Sequence, residues 1–148
     1  MIPVNRSLTN GKSEGDHHSL FLGTKKDLNN IEWLKQSNIT GIISIQEKNV
    51  FDYDQLENIG ITNLCFVCQS ETVFANYLPH FEQVNSTLER FLNTGNVLVQ
   101  CEDGLSRSVA LVIAFLIEKK AFRFSEAFGY VKRKRQSVSP SFYPNLEN

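Results

Sequence analysis

Cysteine is scarce in this sequence, and its count is odd: Cys65, Cys68 and Cys101. A disulfide scaffold is excluded as the organising principle, and a reducing compartment fits. Long hydrophobic runs are missing too. The longest, Val109 to Ile117, has nine residues, whereas a bilayer-spanning helix takes ~20. The first residues show no basic stretch followed by an apolar one, so no signal peptide is expected. The sequons at Asn38 and Asn85 then read as chance matches. Neither charge is in excess: Lys+Arg is 15 and Asp+Glu 16, a formal net charge of -1. That balance points away from nucleic acid or a membrane surface as the main partner. There is no internal repeat and no low-complexity tract.

What remains is the composition of one globular domain: 148 residues, 41% hydrophobic and 21% charged. Residues 1 to 16 are polar, with Asn10-Gly11 and Glu14-Gly15-Asp16, and read as a flexible N-terminal arm, extended or disordered. The domain is expected over 17–148. From Ser19 onward, strand and helix signals alternate. Ser19 to Leu22 is a short strand stopped by Gly23. Leu28, Ile31 and Leu34 recur at helical spacing, with Asp27 as the cap. Ile39 to Ile45 is a β-branched strand containing Gly41. Phe51 to Asn58 reads as a short helix ending near Gly60, and Ile61 to Cys68 as another strand. Tyr77, Leu78, Phe81, Val84, Leu88 and Phe91 mark an amphipathic helix, with Pro79 in its first turn and Gly95 past its end.

The following segment carries most of the information. Asn96 to Cys101 is a buried strand, Glu102 to Ser106 a turn around Gly104, and Arg107 to Lys120 a helix that is apolar on every side. Such a helix belongs at the centre of a domain. A last helix presents Phe124, Ala127, Phe128 and Val131 on one face. Strands alternating with helices imply an α/β fold of three layers, with a largely parallel sheet covered on both faces. In such sheets the ligand sits beyond the carboxyl ends of the strands, where Cys101 lies.

Cys101-Glu102-Asp103-Gly104-Leu105-Ser106-Arg107-Ser108 has the form C-x5-R-S. Five residues between a strand end and a helix start can turn their N–H groups toward one point. The result is an anion nest, reinforced by the positive end of the helix. A cysteine at its base feels the same field, so its thiol is expected to ionise readily. Gly104 permits the curl, Arg107 can clamp two phosphoryl oxygens, and Ser108 can donate to the sulfur. The loop suits a phosphate monoester and attack on phosphorus by sulfur. Taken as packing alone, Cys101 would be a small buried hydrophobe and Gly104 a turn residue. The strand before the loop and the apolar helix after it favour the chemical reading.

This segment resembles the signature of the cysteine-dependent protein tyrosine phosphatases, and in particular their small dual-specificity branch. Ser19 to Gly23 resembles that branch's first strand, Val97 to Ile117 its loop and central helix, and Phe124 to Phe142 the helix and Pro-containing exit that follow. The resemblance spans roughly residues 18 to 143, nearly the whole single domain. It implies a phosphoprotein substrate, a cysteinyl-phosphate intermediate, and no metal or cofactor. It places the phosphate-binding loop on Glu102, Asp103, Gly104, Leu105, Ser106 and Arg107. The sparse cysteines and the lack of a signal peptide lead to the expectation of a cytoplasmic setting, with the nucleus open through the basic run Lys132 to Arg135. That run equally reads as a solvated helix end. The oligomeric state is left open.

Three positions depart from the family pattern. Gln100 stands where the family usually has a histidine before the nucleophile. The family's general acid, an aspartate, falls on Glu71, which serves as that acid or as a solvated loop carboxylate. Glu102 and Asp103 bring two carboxylates to an anion loop, either selecting basic substrates or sitting on its rim. These departures motivate an alternative, a pseudophosphatase that binds phosphoproteins without turnover. A phosphoinositide or RNA 5′-phosphate substrate is disfavoured by the charge balance. Cys65 and Cys68 are three apart on a strand and so face opposite sides, which argues for packing over a metal site.

Overall fold

The computed structural model describes residues 2–4, 18–46, 53–67, 81–101 and 107–134. Five strands run along the chain: β1 (Ile2–Val4), β2 (Leu20–Gly23), β3 (Ile39–Gln46), β4 (Thr62–Val67) and β5 (Asn96–Cys101). They form one sheet in the order β1-β2-β5-β3-β4. The pairs β2–β5, β5–β3 and β3–β4 are parallel. The expected parallel α/β sheet is therefore present. Its last strand in the chain lies at its centre, flanked by β2 and β3, so the strand order reverses at β5. A reversal of this kind opens a crevice at the carboxyl ends of the strands.

One edge differs from expectation. Ile2–Val4 lies within the stretch expected as a flexible arm, yet it pairs antiparallel with β2, Ile2 opposite Leu22 and Val4 opposite Leu20. Three residues are too few to show an alternation in sequence. Pro3 is compatible with this position, since proline within sheets is found on edge strands.

The helix expected from Asp27 onward is two helices. They are α1 (Lys25–Leu28) and α2 (Ile31–Gln36). Thr24, not Asp27, is the cap. Its Oγ1 accepts from the Lys26 N–H at 3.2 Å, while Asp27 Oδ2 accepts from the Thr24 N–H at 2.8 Å. This reciprocal box fixes the start one turn earlier. Asn30 then recaps the chain, its Oδ1 accepting from the Trp33 N–H at 3.1 Å. Leu28 and Leu34 are nonetheless buried on the expected face. The short helix α3 (Asp54–Glu57) ends near Gly60, whose φ of 85° is the left-handed turn that glycine allows.

Three longer helices cover the other face: α4 (Phe81–Leu92), α5 (Arg107–Lys119) and α6 (Phe124–Lys134). Tyr77, Leu78 and Pro79, expected in the start of α4, lie outside the described residues, as do Phe51 and Cys68. Every residue of α5 from Ser108 to Leu116 is buried. It packs with Leu22, Ile43, Ile45, Val97, Val99 and Cys101 from the sheet and with Val84, Leu88, Ala127 and Val131 from its flanking helices. The opposite core is smaller, with Ile42 and Leu98 under Leu28, Leu34 and Leu56. Asn96 pins the amino end of the central strand. Its Oδ1 accepts from the Ser19 N–H at 2.7 Å, and its amide donates to the Ser37 carbonyl at 2.8 Å. Asn85 is 1% exposed and donates to Glu118, so the second sequon is buried between helices.

Candidate active site

Cys101 is the last residue of β5, and Arg107 the first of α5. Strand alternation turns Cys101 toward the α4–α6 face with Val97 and Val99, and the thiol is 2% exposed. Ser108, fully buried in the first turn of α5, brings its Oγ to 3.2 Å from Cys101 Sγ. Two residues seven apart in sequence are thus brought together where β5 ends and α5 begins. Because Ser108 belongs to the first turn, that contact also sets the amino-terminal end of α5, the positive end of its dipole, against the sulfur. Arg107 is partly buried beside it. Glu102, Asp103, Gly104, Leu105 and Ser106, and the expected general acid Glu71, lie outside the described residues.

Gln100 points the other way. Its register partners are Gly23 on β2 and Ser44 on β3, and its side chain is fully buried on the α1–α3 face. Among the described residues, both amide atoms, Oε1 and Nε2, lack a hydrogen-bond partner. Cys65 pairs in register with Ser44 and so shares the Gln100 face, opposite to Cys101. The sheet itself stands between the two thiols. That arrangement removes a Cys101–Cys65 disulfide, which must bring its Cβ atoms to ~3.5–4.5 Å. Burial pushes the Cys65 thiol above its ordinary range, as expected for an inert cysteine. Among the described residues, no group of three His, Cys, Asp or Glu side chains gathers as a metal site. No helix among them is long and apolar enough to cross a membrane.

A family model described as "Dual specificity phosphatase, catalytic domain" matches residues 20–146. The chain belongs to this family. It is of the small dual-specificity branch of the cysteine-dependent protein tyrosine phosphatase superfamily, as the loop motif implied. Among curated relatives, MAP kinase phosphatase with leucine-rich repeats protein 2 of Dictyostelium discoideum is 32% identical, over 86% of this chain and 17% of its own length. Dual specificity protein phosphatase 1B of Arabidopsis thaliana is 32% identical, over 82% of this chain and 71% of its own length. The crystal structure of DUSP15 superposes with a TM-score of 0.71 at 29% identity, covering 86% of this chain and 80% of that one. The first three relatives are longer proteins, of which this chain spans 17%, 14% and 31%.

The residues that the loop motif singled out belong to one chain segment, so their spacing was readable. Ser44 and Gln46 were not singled out. Both are buried near the end of β5 on the Gln100 face. The available signal was two polar residues, both on one side, interrupting a β-branched strand.

Proposed function

We propose that the chain is a protein phosphatase acting on phosphotyrosine, and on phosphoserine and phosphothreonine, through a cysteinyl-phosphate intermediate. Cys101 Sγ attacks phosphorus and displaces the ester oxygen, which takes a proton from Glu71. Arg107 and the loop N–H groups hold the three non-bridging oxygens as charge redistributes. Water, giving its proton to Glu71, then attacks phosphorus. Phosphate leaves, and the sulfur returns to the thiolate with the Ser108 hydroxyl donating to it. The observation that carries this reading is the 3.2 Å pairing of Cys101 Sγ with Ser108 Oγ at the mouth of α5. Packing alone needs no hydroxyl against a thiol. The substrates are phosphoproteins of the cytoplasm or nucleus.

The test is turnover of para-nitrophenyl phosphate with a chelator present. Wild type is expected to turn over and to be inhibited by vanadate. Cys101→Ser is expected to lose turnover while still binding the oxyanion. Turnover that survives in Cys101→Ser sinks the mechanism.

The binding-module reading is favoured by Gln100, an amide where the resemblance expects a titratable imidazole. Glu71→Gln separates the two readings. A general acid contributes typically 10²–10⁴-fold where the leaving oxygen needs its proton, and little where a stable phenolate departs. An active enzyme using Glu71 therefore loses phosphotyrosine-peptide turnover in Glu71→Gln and keeps that of a fluorinated coumarin phosphate. Wild type that cleaves only the coumarin ester, with Glu71→Gln unchanged, makes the module the better reading.

A further inference from the structure

The sheet face under α1, α2 and α3 changes character along its strands. At the level of Ile42 and Leu98 it is apolar, and both side chains are fully buried. One step toward the carboxyl ends it becomes polar. Gln100 pairs in register with Ser44, and Ser44 with Cys65. Registered neighbours share a face, so the three form a row across β5, β3 and β4. Gln46 follows two residues beyond Ser44 on the same side. Ser44 and Gln100 are fully buried, and Gln46 is 4% exposed. Ser44 Oγ, Gln46 Oε1 and both Gln100 amide atoms lack a well-formed hydrogen bond. Tyr53, just before α3, reaches the same row and interacts loosely with Ser44 and Cys65. Burial pushes its phenol, like the Cys65 thiol, above its ordinary range.

Unpaired buried polar groups are costly, and native interiors carry few. Apolar side chains of similar volume at these positions would extend the core below without that cost. The set is also complementary. Gln100 brings donors and an acceptor, Ser44 one donor with acceptor capacity, and Gln46 a further carbonyl. Side-chain rotation or a shared water would be needed to connect them. The row ends one residue before Cys101, on the strand that presents the nucleophile.

We propose that Ser44 is a positioning residue for Cys101: with Gln100 and Gln46 it forms a buried polar belt that fixes the end of β5 from the face opposite the thiol. This rests on the reading of Cys101 as the nucleophile. The belt acts through backbone placement, since Ser44 and Cys101 lie on opposite sides of the sheet. Its effect falls on how readily the sulfur ionises, because that depends on where the strand end holds it relative to the first turn of α5.

The experiment follows Cys101 alkylation by iodoacetamide as a function of pH, with peptide mass mapping to count Cys65 and Cys68 separately. Ser44→Ala and Gln100→Leu are each expected to raise the alkylation midpoint by about half to one pH unit. Alkylation at pH 6 then falls roughly 3–10-fold. Members of one network are non-additive, so the double variant should shift no further than the larger single one. Ser44→Thr, which keeps the hydroxyl, should restore the wild-type midpoint. An unmoved midpoint in Ser44→Ala, with only a lower thermal midpoint, overturns the inference, and so do additive shifts. Should Ser44→Ala fail to fold, Tyr53→Phe replaces it. A rise in midpoint supports the belt and no movement overturns it. Wild-type Cys101 that alkylates like an ordinary thiol and shows no turnover overturns the phosphatase reading together with the inference. An activated wild type that the variants leave unchanged overturns the inference alone.

Discussion

Ser108→Ala is the most discriminating single substitution at this site. Ser108 is fully buried, and its Oγ lies 3.2 Å from Cys101 Sγ. Removing one oxygen leaves little space and, among the described residues, takes a partner only from the sulfur, so the fold should persist. The chemical effect depends on the step. In the first step of the proposed mechanism the sulfur attacks as a thiolate, and losing the hydroxyl would remove stabilisation from that starting state. Attack on phosphorus is then not slowed. In the second step the sulfur leaves, negative charge returns to it, and the missing donor is felt in full. A hydrogen bond to a charged group is worth ~1.5–3 kcal/mol. That corresponds to about 10–150-fold in the rate of breakdown.

The assay is stopped-flow para-nitrophenyl phosphate hydrolysis at enzyme concentrations high enough to see the first turnover. Ser108→Ala is expected to release about one equivalent of nitrophenolate in a burst, followed by a steady state that is slower by the factor above. The burst rate itself should stay near that of wild type. A steady-state rate within twofold of wild type would refute the reasoning. A burst rate that falls as far as the steady state would also refute it, by placing Ser108 in the organisation of the loop.

Two further outcomes are expected. Arg107→Lys keeps the charge but not the planar fork, so vanadate binding and kcat should both weaken, by about tenfold or more without the bidentate grip. Wild-type kcat and KM in that variant would remove Arg107 as the clamp. Gly41→Ala tests the fold, because a Cβ there would lie 2.6 Å from Cδ2 of Phe91 on α4. Overpacking of this kind costs ~1–3 kcal/mol, and the thermal midpoint should fall by roughly 3–10 °C while turnover at 25 °C survives. An unchanged midpoint would mean that Phe91 moves aside freely.

The legible parts of the fold were those whose signal is local and repeated. The apolar run of α5 could only be a central helix, and Ser108 to Leu116 are all buried. Ile39 and the β-branched residues after it form β3 as expected, extended by one residue to Gln46. The misread parts turned on single side chains. Thr24 and Asn30 each accept one backbone N–H, and those two bonds divide a stretch whose apolar spacing alone reads as one helix. At Ile2–Val4 the strand exists because β2 offers an open edge, and nothing within three residues records the presence of a partner.

The same distinction separates the two shells of the site. Cys101, Arg107 and Ser108 come from consecutive elements, the end of β5 and the start of α5, and a short segment of sequence contains them all. Their spacing is therefore sufficient to read them. Ser44 meets Gln100 only because the chain inserts β5 between β2 and β3. That insertion is a property of the whole topology, and no window of sequence contains it. A shift of one residue in the β3–β5 register would turn Ser44 toward α5 and bring Ile43 or Ile45 beneath α1. The polar belt and the apolar core around α5 thus rely on the same pairing. Burying Ile43 and Ile45 on the α5 side, as observed, obliges Ser44 and Gln46 to lie on the other. In this chain, the packing that seats α5 also delivers the polar groups beneath the end of β5.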